Sequence, residues 1–246
     1  MQKEKTFVFG KHPVKEALMT RPEVVGALYI EKGKDDPELF RLAEKNKIHQ
    51  HEFVSKTMPT GVPKDAVHQG VIAEINVNKL VQTFDDFMDG YEITNDSSFV
   101  ILGEVNDPHN VGAIIRSAAA FGISAVFIPE HRQVQVNGTV VKTSAGMAFH
   151  IPLVSIGNVN QTIKDLKDKG CWVYGLDGES TTNVNDEQFE KPSVFILGNE
   201  GKGIREKTLE HCDISLRIPT KKNVESLNAS VAAGVIFYAW QQRDKA

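Results

Sequence analysis

The sequence predicts an α/β protein: a parallel sheet with helices on both faces, preceded by a smaller α/β unit. Three observations predict it. From Phe99 onward, short apolar runs alternate regularly with helical stretches, the pattern of strands buried on both faces. The apolar run 194–197 ends abruptly in Gly198-Asn199-Glu200-Gly201-Lys202-Gly203. A second run, 214–218, is stopped by Pro219 and followed by a long helix, rich in small residues, from near Ser226. Strand, glycine loop, helix, strand, loop, helix is the outline of an α/β ligand site, and such folds bind ligands beyond the carboxyl ends of their strands.

In chain order, residues 6–9, 27–30 and 70–75 read as strands, and 12–19 and 37–46 as helices. Asp35 or Asp36 serves as a cap, with Pro37 in the first turn. Residues 76–98 break the pattern: they carry one Lys against five acids and are rich in turn residues. Leu80, Phe84, Phe87 and Met88 keep helical spacing, so part of this stretch is expected as a docked helix. Beyond it, strands are expected at 100–102, 125–128, 153–155, 172–176, 194–197 and 214–218. The expected division is 1–76 for the small unit, 77–97 for an acidic linker and 98–246 for the larger domain.

Charge and composition narrow the function classes. With 41% hydrophobic and 24% charged residues the chain should be globular. It has no apolar run long enough for a membrane span, and its first residues lack the apolar core of a signal peptide, so a cytoplasmic location is expected. Cys171 and Cys212 have no metal-ligand spacing and read as reduced structural thiols. The formal net charge is −4, so a nucleic-acid partner must be held by local patches rather than by bulk charge.

Three stretches carry candidate chemistry. In the first, Asp107-Pro108 opens a helix and Gly122 closes it. Val111, Ile114, Ile115, Ala118 and Phe121 form its core face, leaving Arg116 on nearly the opposite side among Gly112, Ala113, Ala119 and Ala120. Spacing alone leaves two readings: helix packing around a surface Arg, or an Arg cleared for a large partner. The second stretch is the glycine loop 198–203. It is neither a Walker loop nor GxGxxG, and Glu200 argues against a phosphate and for a positively charged ligand. A tight turn with no ligand is its plain alternative. The third places Ser226, Asn228 and Ser230 at a helix start, where capping accounts for one of them but hardly for all three. His68, His131, His150, His211 and Lys142 are isolated and read as core or surface residues.

Together the three stretches resemble the three motifs of the SpoU-type RNA ribose 2′-O-methyltransferases of the SPOUT superfamily. Asn110, Gly112, Arg116, Ala118, Phe121 and Gly122 match the first motif. Gly198 to Gly203 match the second. Ile218 and Pro219, with Glu225 to Ala232, match the third. Gly10 to Leu18 and His68-Gln69-Gly70 resemble the accessory domain of the branch that methylates a guanosine of 23S ribosomal RNA. Thr220 and Lys222 depart from the third motif, where Met and Gly are frequent.

The resemblance implies a catalytic domain with a deep trefoil knot, a homodimer with its active site near the subunit interface, and an N-terminal RNA-binding unit like a ribosomal protein. It implies S-adenosylmethionine as cofactor, with no metal, contacted by Leu197, Gly198, Asn199, Gly201, Ile218 and Leu227. It makes Asn110, Arg116, Glu200, Ser226 and Asn228 the catalytic set, with Arg116 as base or as cationic clamp on a phosphate and the developing oxyanion. Transfer RNA or another ribosomal site is the alternative target. A non-catalytic ribosome-assembly factor and a nucleotide-dependent oxidoreductase are the alternatives from other classes.

Overall fold

The computed structural model describes residues 6–54, 57–199, 201–221 and 226–243. The first strand, β1 (Thr6–Phe9), leads into α1 (Lys11–Thr20) and β2 (Val25–Glu31). Next come α2 (Pro37–Lys45), β3 (His49–Phe53) and β4 (Val71–Ile75). The Asp36 carboxylate accepts from the Leu39 N–H at 3.4 Å and caps α2, with Pro37 in its first turn. The four strands form one sheet in the order β1-β4-β2-β3. Val14, Ala17, Leu18, Leu39 and Ala43, from α1 and α2, join Val8, Leu28 and Ala73 of the sheet in one core. Phe7, Phe9, Phe53, Val62 and Ile72 form a second cluster. Strand β3 was not expected. Its sequence, HQHEF, buries only Phe53, because it pairs with β2 alone as an edge. A polar edge strand has no apolar alternation to read.

Residues 77–97, expected as a linker, hold α3 (Val77–Leu80), β5 (Val81–Thr83) and α4 (Phe84–Asp89). Strand β5 pairs with a strand of the larger sheet. The Phe87 ring lies 6.0 Å from Phe99 and 5.8 Å from Phe127, so α4 packs on that sheet as well.

The larger sheet continues with β6 (Ser98–Leu102), β7 (Ala125–Pro129), β8 (Leu153–Ile156) and β9 (Trp172–Leu176). It is completed by β10 (Thr182–Asn183), β11 (Ser193–Leu197) and β12 (Ile214–Arg217). The order is β10-β12-β9-β11-β6-β7-β8-β5, and every pairing is parallel. The helices are α5 (Pro108–Ala120), α6 (Gly138–Thr143), α7 (Val159–Asp168), α8 (Glu206–Leu209) and α9 (Ala229–Gln241). Alternate residues of β6 serve the two layers. Val100 and Leu102 share a cluster with Val111, Ile114, Val140 and Phe237, while Phe99 and Ile101 share one with Phe87, Ile163 and Leu166. Burial on both sides is why these strands read as unbroken apolar runs.

Topology places the site. From β6 the sheet runs to β7 and β8 on one side and to β11 and β9 on the other. The carboxyl ends of β6 and β11, in register at Leu102 and Leu197, therefore flank a switch point, where parallel sheets open a crevice. The helix of the first motif follows β6, and the glycine loop follows β11.

The small unit is docked against α6 and the segment after it. Lys142, expected as a solvated lysine, lies 4.7 Å over the Phe9 ring, and the His150 Nε2 is 2.6 Å from the Glu16 carboxylate. Gly138 has no room for a Cβ against the Phe7 carbonyl, and a Cβ on Gly146 would meet Glu16 Cβ at 2.9 Å. Glycine is required at both positions by the closeness of the contact.

Candidate active site

The glycine loop turns back on itself. Asn199 and Gly203 exchange backbone hydrogen bonds of 3.0 and 2.9 Å. The Asn199 Oδ1 accepts from the N–H groups of Gly201, at 3.0 Å, and Lys202, at 3.1 Å. Its Nδ2 donates to the Glu104 carbonyl at 2.9 Å, tying the loop to the segment after β6. A Cβ on Gly198 would collide with the backbone of Gly203 and Ile204. Of these loop glycines only Gly203 has a left-handed backbone, with φ of 66°. Close approach within the loop, more than unusual dihedrals, is what requires glycine at 198.

Helix α5 begins as the sequence predicts, with the Asp107 carboxylate accepting from the His109 N–H at 2.9 Å. Asn110, in its first turn, is buried. The Asn228 Nδ2 donates to the Asn110 Oδ1 at 3.0 Å, joining the first and third motifs across 118 residues of sequence. The Asn228 Oδ1 caps α9, accepting from the Ser230 N–H at 2.9 Å and from its hydroxyl at 2.6 Å. The predicted helix start near Ser226 thus settles at Ala229, with Asn228 as the cap.

These loops close around a cleft of about 530 Å³. Leu197, Gly198, Asn199, Gly201, Ile218, Ser226 and Leu227, all singled out from the sequence, line it. So do Leu176, Asp177, Gly178 and Glu179, which follow or end β9 and which sequence reasoning missed. Their signal was positional only: β9 lies between β11 and β12, so its carboxyl end opens on the same crevice. Thr220, one of the two departures from the third motif, is at the cleft; Lys222 lies outside the described residues, as do Asn223, Glu225 and Glu200.

The chemistry of the lining is specific. Leucine and isoleucine at positions 176, 197, 216, 218 and 227 present apolar surface, and Asp177 and Glu179 add two carboxylates. Among the described residues, the lining includes no lysine or arginine. A pyrophosphate calls for cations or convergent backbone N–H groups. A ligand with an apolar ring system, polar edges and positive charge fits better.

Arg116 does not line this cleft. It is exposed on α5, and among the described residues it forms no salt bridge. Of the two readings of its small neighbours, helix packing holds at Gly112. Gly112 is small because α6 crosses there: a Cβ would meet Val140 O and Thr143 Cβ at 2.7 Å. The other small neighbours stay partly or fully exposed. Burial pushes the Cys171 thiol up to about 11 and, with the nearby Asp213 carboxylate, the Cys212 thiol up to about 12. Both stay protonated at neutral pH, as expected of structural thiols.

Residues 97–238 match the family model described as the SpoU rRNA Methylase family. The chain belongs to this family. Residues 7–80 match a second model, described as RNA 2'-O ribose methyltransferase substrate binding. Among curated relatives, the 23S rRNA (guanosine-2'-O-)-methyltransferase RlmB of Xanthomonas campestris is 37% identical over 248 residues, covering 99% of each chain. RlmB of Pseudomonas syringae is 35% identical over 242 residues, covering 96% of this chain and 95% of that one. The fold of this SpoU family member matches that of the SpoU methyltransferase AviRb from Streptomyces viridochromogenes in complex with AdoMet. The TM-score is 0.82 at 23% identity, covering 99% of this chain and 92% of that one. An AdoMet-bound rRNA methyltransferase from Sinorhizobium meliloti gives a TM-score of 0.79 at 21% identity, covering 99% and 88%.

Proposed function

We propose that the protein transfers a methyl group from S-adenosylmethionine to the ribose 2′-hydroxyl of a guanosine in 23S ribosomal RNA. The carrying observation is the cleft built by the glycine loop and the start of α9, apolar and acidic, with no cation among its described lining residues. Such a lining suits a sulfonium-bearing nucleoside and disfavours a dinucleotide, which argues against an oxidoreductase. Relatives more than a third identical over the whole chain, named for this reaction, supply the substrate.

When bound, S-adenosylmethionine supplies an electrophilic methyl group. The protein's part is to hold the 2′-hydroxyl oxygen in line with that methyl and to manage the departing hydroxyl proton. Leu197, Gly198, Asn199, Gly201, Ile218 and Leu227 form the donor site. Asn110, held by Asn228, and Ser226 orient the ribose. Glu200 belongs to the same set by its place in the motif. Arg116 serves as base or as a clamp on the adjacent phosphate and the developing oxyanion. Because Arg116 is exposed and does not line its own cleft, the reading includes a homodimer in which α5 and α9 meet a second copy. Val231 and Tyr238 of α9, 51% and 54% exposed, support that face. A cytoplasmic location follows from the substrate.

Residues 1–76 are read as the RNA grip and 77–246 as the catalytic unit. The separate four-stranded sheet and the matching substrate-binding model support this. Methyl mapping tests both parts together. Full-length protein with S-adenosylmethionine, and without added metal, should place a 2′-O-methyl group on one guanosine of unmodified 23S RNA. Protein beginning at residue 77 should still bind S-adenosylmethionine yet lose most of that methylation. Starting at residue 77 keeps Phe84 and Phe87, which pack in the core beneath the larger sheet. Methylation of transfer RNA alone would move the substrate assignment, and an equally active truncated form would remove the small unit from RNA binding.

The deep trefoil knot belongs to the same reading. The tight passage of the loop after β11 supports it: the Gly103 N–H donates to the Leu197 carbonyl at 2.6 Å, and Gly198 meets Gly203. Mechanical extension from the two termini should then end short of the full contour length of the chain. Extension to the full length would exclude a knot.

A further inference from the structure

A second cleft, of about 620 Å³, opens at the carboxyl ends of β6, β7 and β8, on the other side of the glycine loop. None of the motif residues accounts for it. Its volume lies in the range that holds a nucleotide-sized ligand. Ile196, Val159 and Ile204 give it an apolar floor, while Arg132, Arg205 and Lys207 bring positive charge to its rim.

The charges are not equivalent. Arg205 is paired with the Glu104 carboxylate. Arg132 and Lys207 are exposed and form no salt bridge among the described residues, with Glu206 the one other acid on the lining. Two free cations beside an apolar floor, in a chain of net charge −4, are a local feature of the kind that RNA binding here requires. Glu104 and Arg132 also hold left-handed backbones, with φ of 66° and 58°. Non-glycine residues adopt this conformation uncommonly, and two of the six among the described residues line this one cleft.

The two clefts share a wall. The Glu104 carbonyl accepts from the Asn199 side chain, and its carboxylate holds Arg205. One cleft has acids and, among the described residues, no cation. Its neighbour has cations beside apolar surface. A base face packs on aliphatic side chains, and phosphates pair with Arg and Lys. We propose that the second cleft holds a nucleotide of the substrate RNA flanking the one that is methylated. Its base lies on the half-buried Val159 and Ile204, and its phosphates lie at Arg132 and Lys207. The assignment rests on the RNA methyltransferase reading above.

Two variants of the full-length protein test it, with unmodified 23S RNA as the probe. One is Arg132→Ala with Lys207→Ala. The other is Gly157→Trp, which puts a large side chain in the cleft from a glycine with no atom within 4 Å of its Cβ position and no left-handed backbone. Both should retain S-adenosylmethionine affinity within about twofold and lose RNA affinity about tenfold or more. KM for RNA should rise, with kcat at saturating RNA changed less than about threefold. In the double variant the log–log salt slope of RNA binding should fall by roughly 1.4 to 1.8, two phosphate contacts at about 0.7 to 0.9 each. RNA affinity and slope unchanged in both variants of an active enzyme would overturn the cleft assignment alone. A parallel loss of S-adenosylmethionine affinity would make the cleft a support for the donor loop and overturn it as well. Wild-type protein that methylates no RNA would instead overturn the function on which the assignment rests.

Discussion

Gly198→Val is expected to abolish S-adenosylmethionine binding while leaving a folded protein. A Cβ at this position would fall on the backbone of Gly203 and Ile204, with the Gly203 carbonyl oxygen at 2.6 Å. The obstacle is main chain on the return limb of the loop, so no rotamer change relieves it. The loop must open, breaking the paired bonds between Asn199 and Gly203 and the Asn199 side-chain bonds to Gly201 and Lys202. Gly198, Asn199, Gly201 and Gly203 of this loop line the cleft. With the wall of the cleft displaced, calorimetry should detect no binding. The fold should survive, because the buried β11 and α9 cores lie beneath the loop and not within it. A folded variant with unchanged S-adenosylmethionine affinity would remove the glycine loop from the donor site.

What the sequence made legible follows burial. Strands such as β6 and β11 are apolar on both faces and bounded by turn residues, so their positions and the parallel sheet could be read directly. Strand β3 escaped because an exposed edge imposes no alternation. The acidic stretch 77–97 looks like a linker by charge. The helical spacing of Phe84, Phe87 and Met88 nonetheless showed a docked helix there, as α4 is; only the partners that Phe84, Phe87 and Tyr91 meet, Phe99 and Phe127, are set by the fold. In the site, the three motif stretches are local in sequence and were visible, down to Asp107 as cap and Asn228 at the start of α9. Asp177 and Glu179 were not, since two carboxylates after a strand read as an ordinary turn until β9 is found between β11 and β12. The role of Gly112 was left open between two readings for a related reason. Local spacing shows that a surface is small but not which neighbour it is small for.

Arg116→Ala is expected to keep the fold and S-adenosylmethionine affinity while losing methyl transfer by about 10² to 10⁴, the range for a general base or an oxyanion donor. Arg116 is exposed on α5, makes no salt bridge among the described residues and lies outside the donor cleft. Its removal therefore takes away little packing and no donor contact. A guanidinium keeps its charge in proteins and is a poor proton acceptor, which favours the clamp over the base. On that reading Arg116→Lys retains the charge, loses the bidentate geometry and should recover only part of the rate. Its place away from its own cleft makes a second outcome informative. If α5 of one subunit serves the cleft of the other, mixing Arg116→Ala with Gly198→Val subunits creates heterodimers with one intact site. Activity should then return where neither variant alone has any, up to about a quarter of the wild-type rate per subunit if exchange is random. Single-turnover methylation measured on each variant and on the exchanged mixture decides it. A loss well under tenfold in Arg116→Ala would return this residue to an ordinary surface arginine. A full loss with no recovery on mixing would place its action within its own subunit.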